Sequence, residues 1–171
     1  MSKAKLKKAL NAMDKQEIIS MVEELYDARK EAKEYLEYWI NPDPQKELER
    51  VEKLIERQFV TPQGVNRRSP SLPAIAKIIK DFMTICFDPE KVAELLLFLV
   101  EKECDWLEVR YRRVSYRTNL QKNLREAELY IETNALESLY AIRLERLKER
   151  VEALDAYQTE HTPRRRWFRF R

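Results

Sequence analysis

Four groupings of residues in this chain have types and spacings that suggest chemistry. The first is an acidic series, Glu24, Asp27, Glu31 and Glu34. Two helices carrying ExxE and then ExxD can hold magnesium between them. Here Glu24-Leu25-Tyr26-Asp27 comes first and Glu31, Glu34 and Glu37 follow, the reverse of that order. At about 100° per residue, the four acids fall opposite Val22, Leu25 and Leu36. The series therefore reads as a solvated helix face. The second grouping turns on His161, the one histidine in the chain. Di-iron bundles need two Glu-x-x-His motifs and zinc needs several Cys or His ligands. A nucleophilic triad would rest on His161, beside Pro163, where nothing orients the ring. Cys86 and Cys104 lack CxxC spacing and read as reduced, buried thiols. The residues predict no catalytic side chain, no metal and no cofactor. A carboxylate-only or lysine-dependent enzyme is the enzymatic alternative left.

The third and fourth groupings are cationic. Between Leu107 and Arg125 stand Arg110, Arg112, Arg113, Arg117, Lys122 and Arg125 against Glu108 alone, with Tyr111 and Tyr116 interleaved. Guanidinium forks bind phosphate bidentately and tyrosines stack on bases, so Arg110, Arg112, Arg113 and Arg117 are candidates for polyanion contact. Two features favour a structural role. Cations near a helix C-terminus complement its dipole, and the acid-rich stretch from Glu126 to Glu160 can neutralise the patch across a helix pair. The tail, Arg164-Arg165-Arg166-Trp167-Phe168-Arg169-Phe170-Arg171, alternates cations with aromatics after Pro163. Arg164, Arg165, Arg166, Trp167, Phe168, Arg169 and Phe170 are the candidate partner contact, docking onto the body or onto another protein. Polyanion contact is the second use of such a string. The net charge of +3 comes from this tail, which leaves the body of the chain near neutrality.

The elements that must position these groups are helices. Gly64 is the one glycine in 171 residues, and sheet turns or phosphate-cradling loops are hard to build without that residue. Apolar side chains recur every three to four positions from Ile18 to Ile40, with a lapse near Arg29 that suggests a kink. Asp14-Lys15-Gln16-Glu17 reads as a capping box in front of that stretch. Asn41-Pro42-Asp43-Pro44 stops it and caps the next helix, which buries Leu48, Val51, Leu54, Ile55 and Phe59. A loop from Thr61 to Pro73 holds the glycine. Ser71 then starts a helix carrying Ile75, Ile78, Ile79, Phe82, Met83 and Cys86. Asp88-Pro89 opens a helix to about Val114, apolar all round from Leu95 to Val100, which predicts the most buried element. A further helix starts near Ser115 to Asn119. A break at Thr133-Asn134, with Asn134-Ala135-Leu136-Glu137 as a capping pattern, precedes the last helix, to about Tyr157.

This pattern predicts an all-α fold of about six main helices in antiparallel pairs, an irregular bundle or short helical-hairpin array. Residues 1–160 form one domain in this reading and 161–171 the tail. The apolar run from Leu95 to Val100 is far short of the roughly 20 residues a membrane helix needs. Lys3, Lys5, Lys7 and Lys8 precede no apolar stretch of signal-peptide type. A cytoplasmic location is therefore expected.

Leu6-Lys7-Lys8-Ala9-Leu10, then Asp14-Lys15-Gln16-Glu17-Ile18-Ile19, Leu25-Tyr26 and Lys33-Glu34-Tyr35-Leu36-Glu37-Tyr38-Trp39-Ile40-Asn41-Pro42 together resemble an uncharacterised family of small helical bacterial proteins, a domain of unknown function. The similarity is strongest over about residues 5–60, weaker around Leu95 to Val100, and absent from the tail. It implies a small, soluble, all-helical bacterial protein and carries over no catalytic residue. The function expected is a non-enzymatic cytoplasmic interaction or scaffold module engaging another protein. The alternative is a nucleic-acid-binding accessory protein using Arg110 to Arg117 and the arginine-rich tail.

Overall fold

The computed structural model describes residues 2–67, 69–110 and 114–161, with residues 110, 114 and 157–161 described in backbone only. Every regular element among them is an α-helix: α1 (Lys3–Leu10), α2 (Lys15–Ala28), α3 (Lys30–Ile40), α4 (Pro44–Phe59), α5 (Leu72–Ile85), α6 (Pro89–Arg110), α7 (Val114–Thr133) and α8 (Glu137–His161). Eight helices replace the six expected. Lys3–Leu10 forms a helix of its own, and the anticipated kink at Arg29 is a full break. There φ is −137° and ψ 115°, an extended residue. The Arg29 N–H donates to the Leu25 carbonyl and closes α2, while the Arg29 carbonyl accepts from the Lys33 N–H and opens α3. Asp27, Ala28, Arg29, Lys30 and Glu31 are all exposed, so no buried side chain spans the break.

Local chemistry sets most of the other ends. Asp14 Oδ1 accepts from the Glu17 N–H and Glu17 Oε2 from the Asp14 N–H, each at 2.8 Å, so the capping box forms. Asp88 Oδ1 accepts from the Glu90 N–H at 3.0 Å at the start of α6. Ser71 precedes α5, but its hydroxyl makes no capping bond. Asn134 does not begin α8 either. Its amide donates to the Tyr130 carbonyl at 2.8 Å, while the N–H groups of Ala135 and Leu136 reach back to Glu132 and Ile131. This is a Schellman closure of α7, with Ala135 in the left-handed position at φ 55°.

The chain divides into two compact units between Asp43 and Pro44. In the second unit α6 is the central rod. Val92, Ala93, Leu95, Leu96, Leu97, Leu99, Val100, Cys104, Trp106 and Leu107 are all buried along it, and it packs against α4, α5, α7 and α8. Side-chain pairs give the helix directions. Trp106 meets Tyr116 at 4.7 Å between ring centres and Glu103 meets Asn119 and Asn123, whereas Glu101 meets Arg143 and Glu108 meets Arg150. Sequence numbers run oppositely in the first set and together in the second, so α7 is antiparallel to α6 and α8 parallel to it. The loop between α4 and α5 turns at Thr61–Gly64, where Gly64 takes φ 76°. Trp106 Nε1 donates to the Arg67 carbonyl at 2.8 Å and the Tyr116 hydroxyl to the Pro70 carbonyl at 2.9 Å, fastening the loop. No described helix is long and apolar enough to cross a membrane.

Candidate interaction surface

The first unit is built unlike the second. The capping box starts α2, and 3–4 spacing then places Ile18, Val22 and Tyr26 on one face, half-buried; Ala32 and Leu36 are half-buried on α3. The Tyr26 hydroxyl donates to Glu37 Oε1 at 2.7 Å, and Lys33 Nζ lies 5.0 Å from the Tyr26 ring centre. Beyond this seam nothing is enclosed: α1, α2 and α3 contain no buried residue. Leu6, Ile19, Met21, Leu25, Tyr35, Trp39 and Ile40 are exposed, Trp39 at 68% and Ile40 at 75%. The periodicity that predicts an amphipathic helix here also suggests a core-facing stripe. Leu25, Tyr35, Trp39 and Ile40 belong to that periodicity and are nonetheless exposed. The acids Glu24, Asp27 and Glu31 are exposed as expected, with Glu34 partly covered.

One carboxylate breaks the expectation that acids point outward. Glu103 is only 3% exposed. Its Oε1 accepts from Asn119 Nδ2 at 2.7 Å and from Asn123 Nδ2 at 2.9 Å, and Oε2 accepts from Asn123 at 2.9 Å. Burial pushes its carboxyl from the ordinary 4.5 up to about 7, against the two asparagine amides, which favour the charged form. The same asparagines help line a groove of about 370 Å³ between α5, α6 and α7, otherwise formed largely by Leu72, Ile75, Ile79, Met83, Leu96 and Leu99. No sequence signal marks Glu103, which sits in a run of acids on α6 and is buried because of the helix packed over it. Cys86 and Cys104 are buried and form no disulfide, as read from the sequence. Burial pushes the Cys104 thiol up to about 12, far from a nucleophile at neutral pH. Among the described residues no group of His, Cys, Asp and Glu side chains gathers in a way that could hold a metal.

The chain matches along nearly its whole length a family model, DUF6155, described as a family of unknown function, over residues 1–163. The chain belongs to that family. No curated protein and no solved structure matches it. The DUF6155 match covers the whole of the first compact unit and the second as far as residue 163.

In this DUF6155 chain the arginine segment is only partly described. Arg117 Nε lies 3.5 Å from Asp155 Oδ1, and Gln121 also donates to Asp155. Lys122 pairs with Glu126 at 3.3 Å. The side chains of Arg110, Arg112 and Arg113 lie outside the described residues, as do Arg164, Arg165, Arg166, Trp167, Phe168, Arg169 and Phe170. Further ion pairs stitch α8 to its neighbours. Arg143 forks onto Glu101 at 2.8 and 3.0 Å, Arg150 bridges Glu108 and Asp105 at 2.7 Å each, and Lys148 pairs with Glu128. These arginines serve the helix seams of the fold.

Proposed function

We propose that this DUF6155 chain is a non-enzymatic interaction or scaffold protein of the cytoplasm, engaging another protein chain through the exposed face of α1–α3. One observation carries the reading: a helical unit of the chain, ending at Asp43, buries none of its side chains and holds Trp39 at 68% exposure. Units near 40 residues need metals, disulfides or association to be stable. Among the described residues neither free cysteine is in this unit and no metal-holding group occurs. Association with another chain is one source of stability for such a unit, and tryptophan and tyrosine are the side chains that anchor interfaces. The aromatic–arginine tail, Arg164 to Phe170, is proposed as an additional contact on the same physical grounds.

The alternative, polyanion binding through Arg110, Arg112, Arg113, Arg117 and the tail, has less support. Arg117, the one member with a described side chain, is held by Asp155, and a phosphate site needs uncancelled charge. Partner capture on the immobilised full chain tests the two readings. Capture that persists in about 1 M salt, where the Debye length is ~3 Å, and is lost in Leu25→Glu or Trp39→Glu supports the apolar face. Retention on heparin or RNA that falls steeply with salt and vanishes on deleting residues 164–171 supports the alternative.

A further inference from the structure

We propose that α1 by itself is a contact for an anionic lipid surface, lying among the headgroups with its apolar side down, a contact beyond the protein partner proposed above. α1 carries Lys3, Lys5, Lys7 and Lys8 and no acid. All four lysines are exposed, and none forms an ion pair among the described residues. At about 100° per residue, Leu6, Ala9 and Leu10 share one sector of the helix about 100° wide. Lys3 and Lys5 border that sector on its two sides, and Lys7 and Lys8 lie away from it. A bordering lysine rests its methylenes along apolar surface and lifts its ammonium to the phosphates. This is the layout of a helix that lies in a membrane interface without crossing it.

The isolation of α1 supports the same assignment. It buries no residue and packs substantially against no other helix. Leu6 is 41% exposed. The side-chain cap is a long one, the Ser2 hydroxyl accepting from the Lys5 N–H at 3.4 Å. Unpacked helices shorter than about 12–15 residues are marginal in water. Lys3 with Lys7 at i,i+4, and Lys5 with Lys8 at i,i+3, are like-charge pairs that weaken this one further. An anionic interface neutralises those charges and takes up Leu6 and Leu10, supplying what the chain itself does not. Nucleic acid meets the lysines equally well but offers nothing to the apolar sector, so a lipid surface fits better.

Co-sedimentation of the full chain with phosphatidylcholine vesicles holding about 30% phosphatidylserine, and with phosphatidylcholine alone, measures this contact. The expected outcome is half-binding near about 1 mM accessible lipid on the anionic vesicles at low salt. Neutral vesicles should leave the chain in solution, and added salt approaching about 1 M should release it from the anionic ones. The combined change Lys3→Gln, Lys5→Gln, Lys7→Gln and Lys8→Gln should weaken binding at least about 100-fold. Leu6→Glu, which leaves every lysine in place, should weaken it about 10-fold. Both variants should keep the urea midpoint of the parent, because α1 encloses nothing; a midpoint that drops shows α1 covering the fold and overturns the inference. A chain that sediments with neither vesicle overturns it too, as does equal binding to both. Leu6→Glu binding as well as the parent would reduce the contact to bare polyanion attraction, and the lipid assignment would fall. It falls equally if the four-lysine variant still binds and only deletion of residues 164–171 abolishes binding, since the tail is then the contact.

Discussion

α6 and the α2–α3 pair are made from similar materials and end in opposite environments. Both follow an Asx-type cap, both carry apolar residues at helical spacing, and both are interrupted by acids and lysines. Along α6, Leu95, Leu97, Leu99 and Val100 are at most 1% exposed, because α4, α5, α7 and α8 surround it. On α2 and α3, Leu25 is 48% and Trp39 68% exposed. Periodicity along one helix says which side is apolar. It does not say whether the chain itself provides a cover. Similar apolar periodicity thus accompanies closed packing along α6 and exposed side chains on α2 and α3.

The sharpest way to break the comparison is to truncate one leucine in each region. Leu97→Ala should cost about 3–4 kcal/mol, because the cavity it leaves cannot fill. Leu25→Ala should cost under about 1 kcal/mol, since little is buried there to lose. Urea midpoints of the two variants measure this, and equal losses would end the distinction.

Next in size is a pH dependence rooted in the enclosed region. Glu103 has a carboxyl raised from 4.5 to about 7 in the folded chain. A raised carboxyl binds its proton more tightly when folded, so its contribution is fully present below about pH 4.5 and is lost as pH rises through 7. The loss amounts to roughly 3 kcal/mol over that window. Urea unfolding of Glu103→Gln against the parent should show this component flattened. An identical pH profile would place the proton elsewhere.

Smaller effects separate local from global stability. Asp14→Ala removes the capping box of α2, a loss of about 1 kcal/mol of helix stability. Because α2 encloses nothing, the loss should appear as reduced helicity at 222 nm with the main unfolding midpoint unmoved. In the second unit, Ala135→Gly relieves the left-handed strain at φ 55°. It should raise the unfolding free energy by somewhat less than about 1 kcal/mol, read by the same denaturation.

Much of the architecture was legible without coordinates because it is decided within a few residues. The capping box at Asp14, the proline-framed starts of α4 and α6, and the glycine turn in the loop before α5 are local contacts, and the residue types state them. The break at Arg29 was half-legible: the lapse in apolar residues marks the place, but whether a helix kinks or parts there depends on the tertiary packing around it. Asn134 was misread because an asparagine can cap either end of a helix. Its amide turned back to the Tyr130 carbonyl instead of starting α8. Arg117 illustrates the limit for candidate sites. A run of arginines looks uncancelled in one dimension, and the acid that holds it, Asp155, sits on another helix.

Composition and spacing by themselves determined that this chain is helical and where most of its helices start and stop, since backbone preferences and caps act over one or two turns. Which faces are covered was settled only in three dimensions. Burial of Glu103 beneath Asn119 and Asn123, and exposure of Trp39, are properties of what packs alongside, and helices distant in sequence decide that.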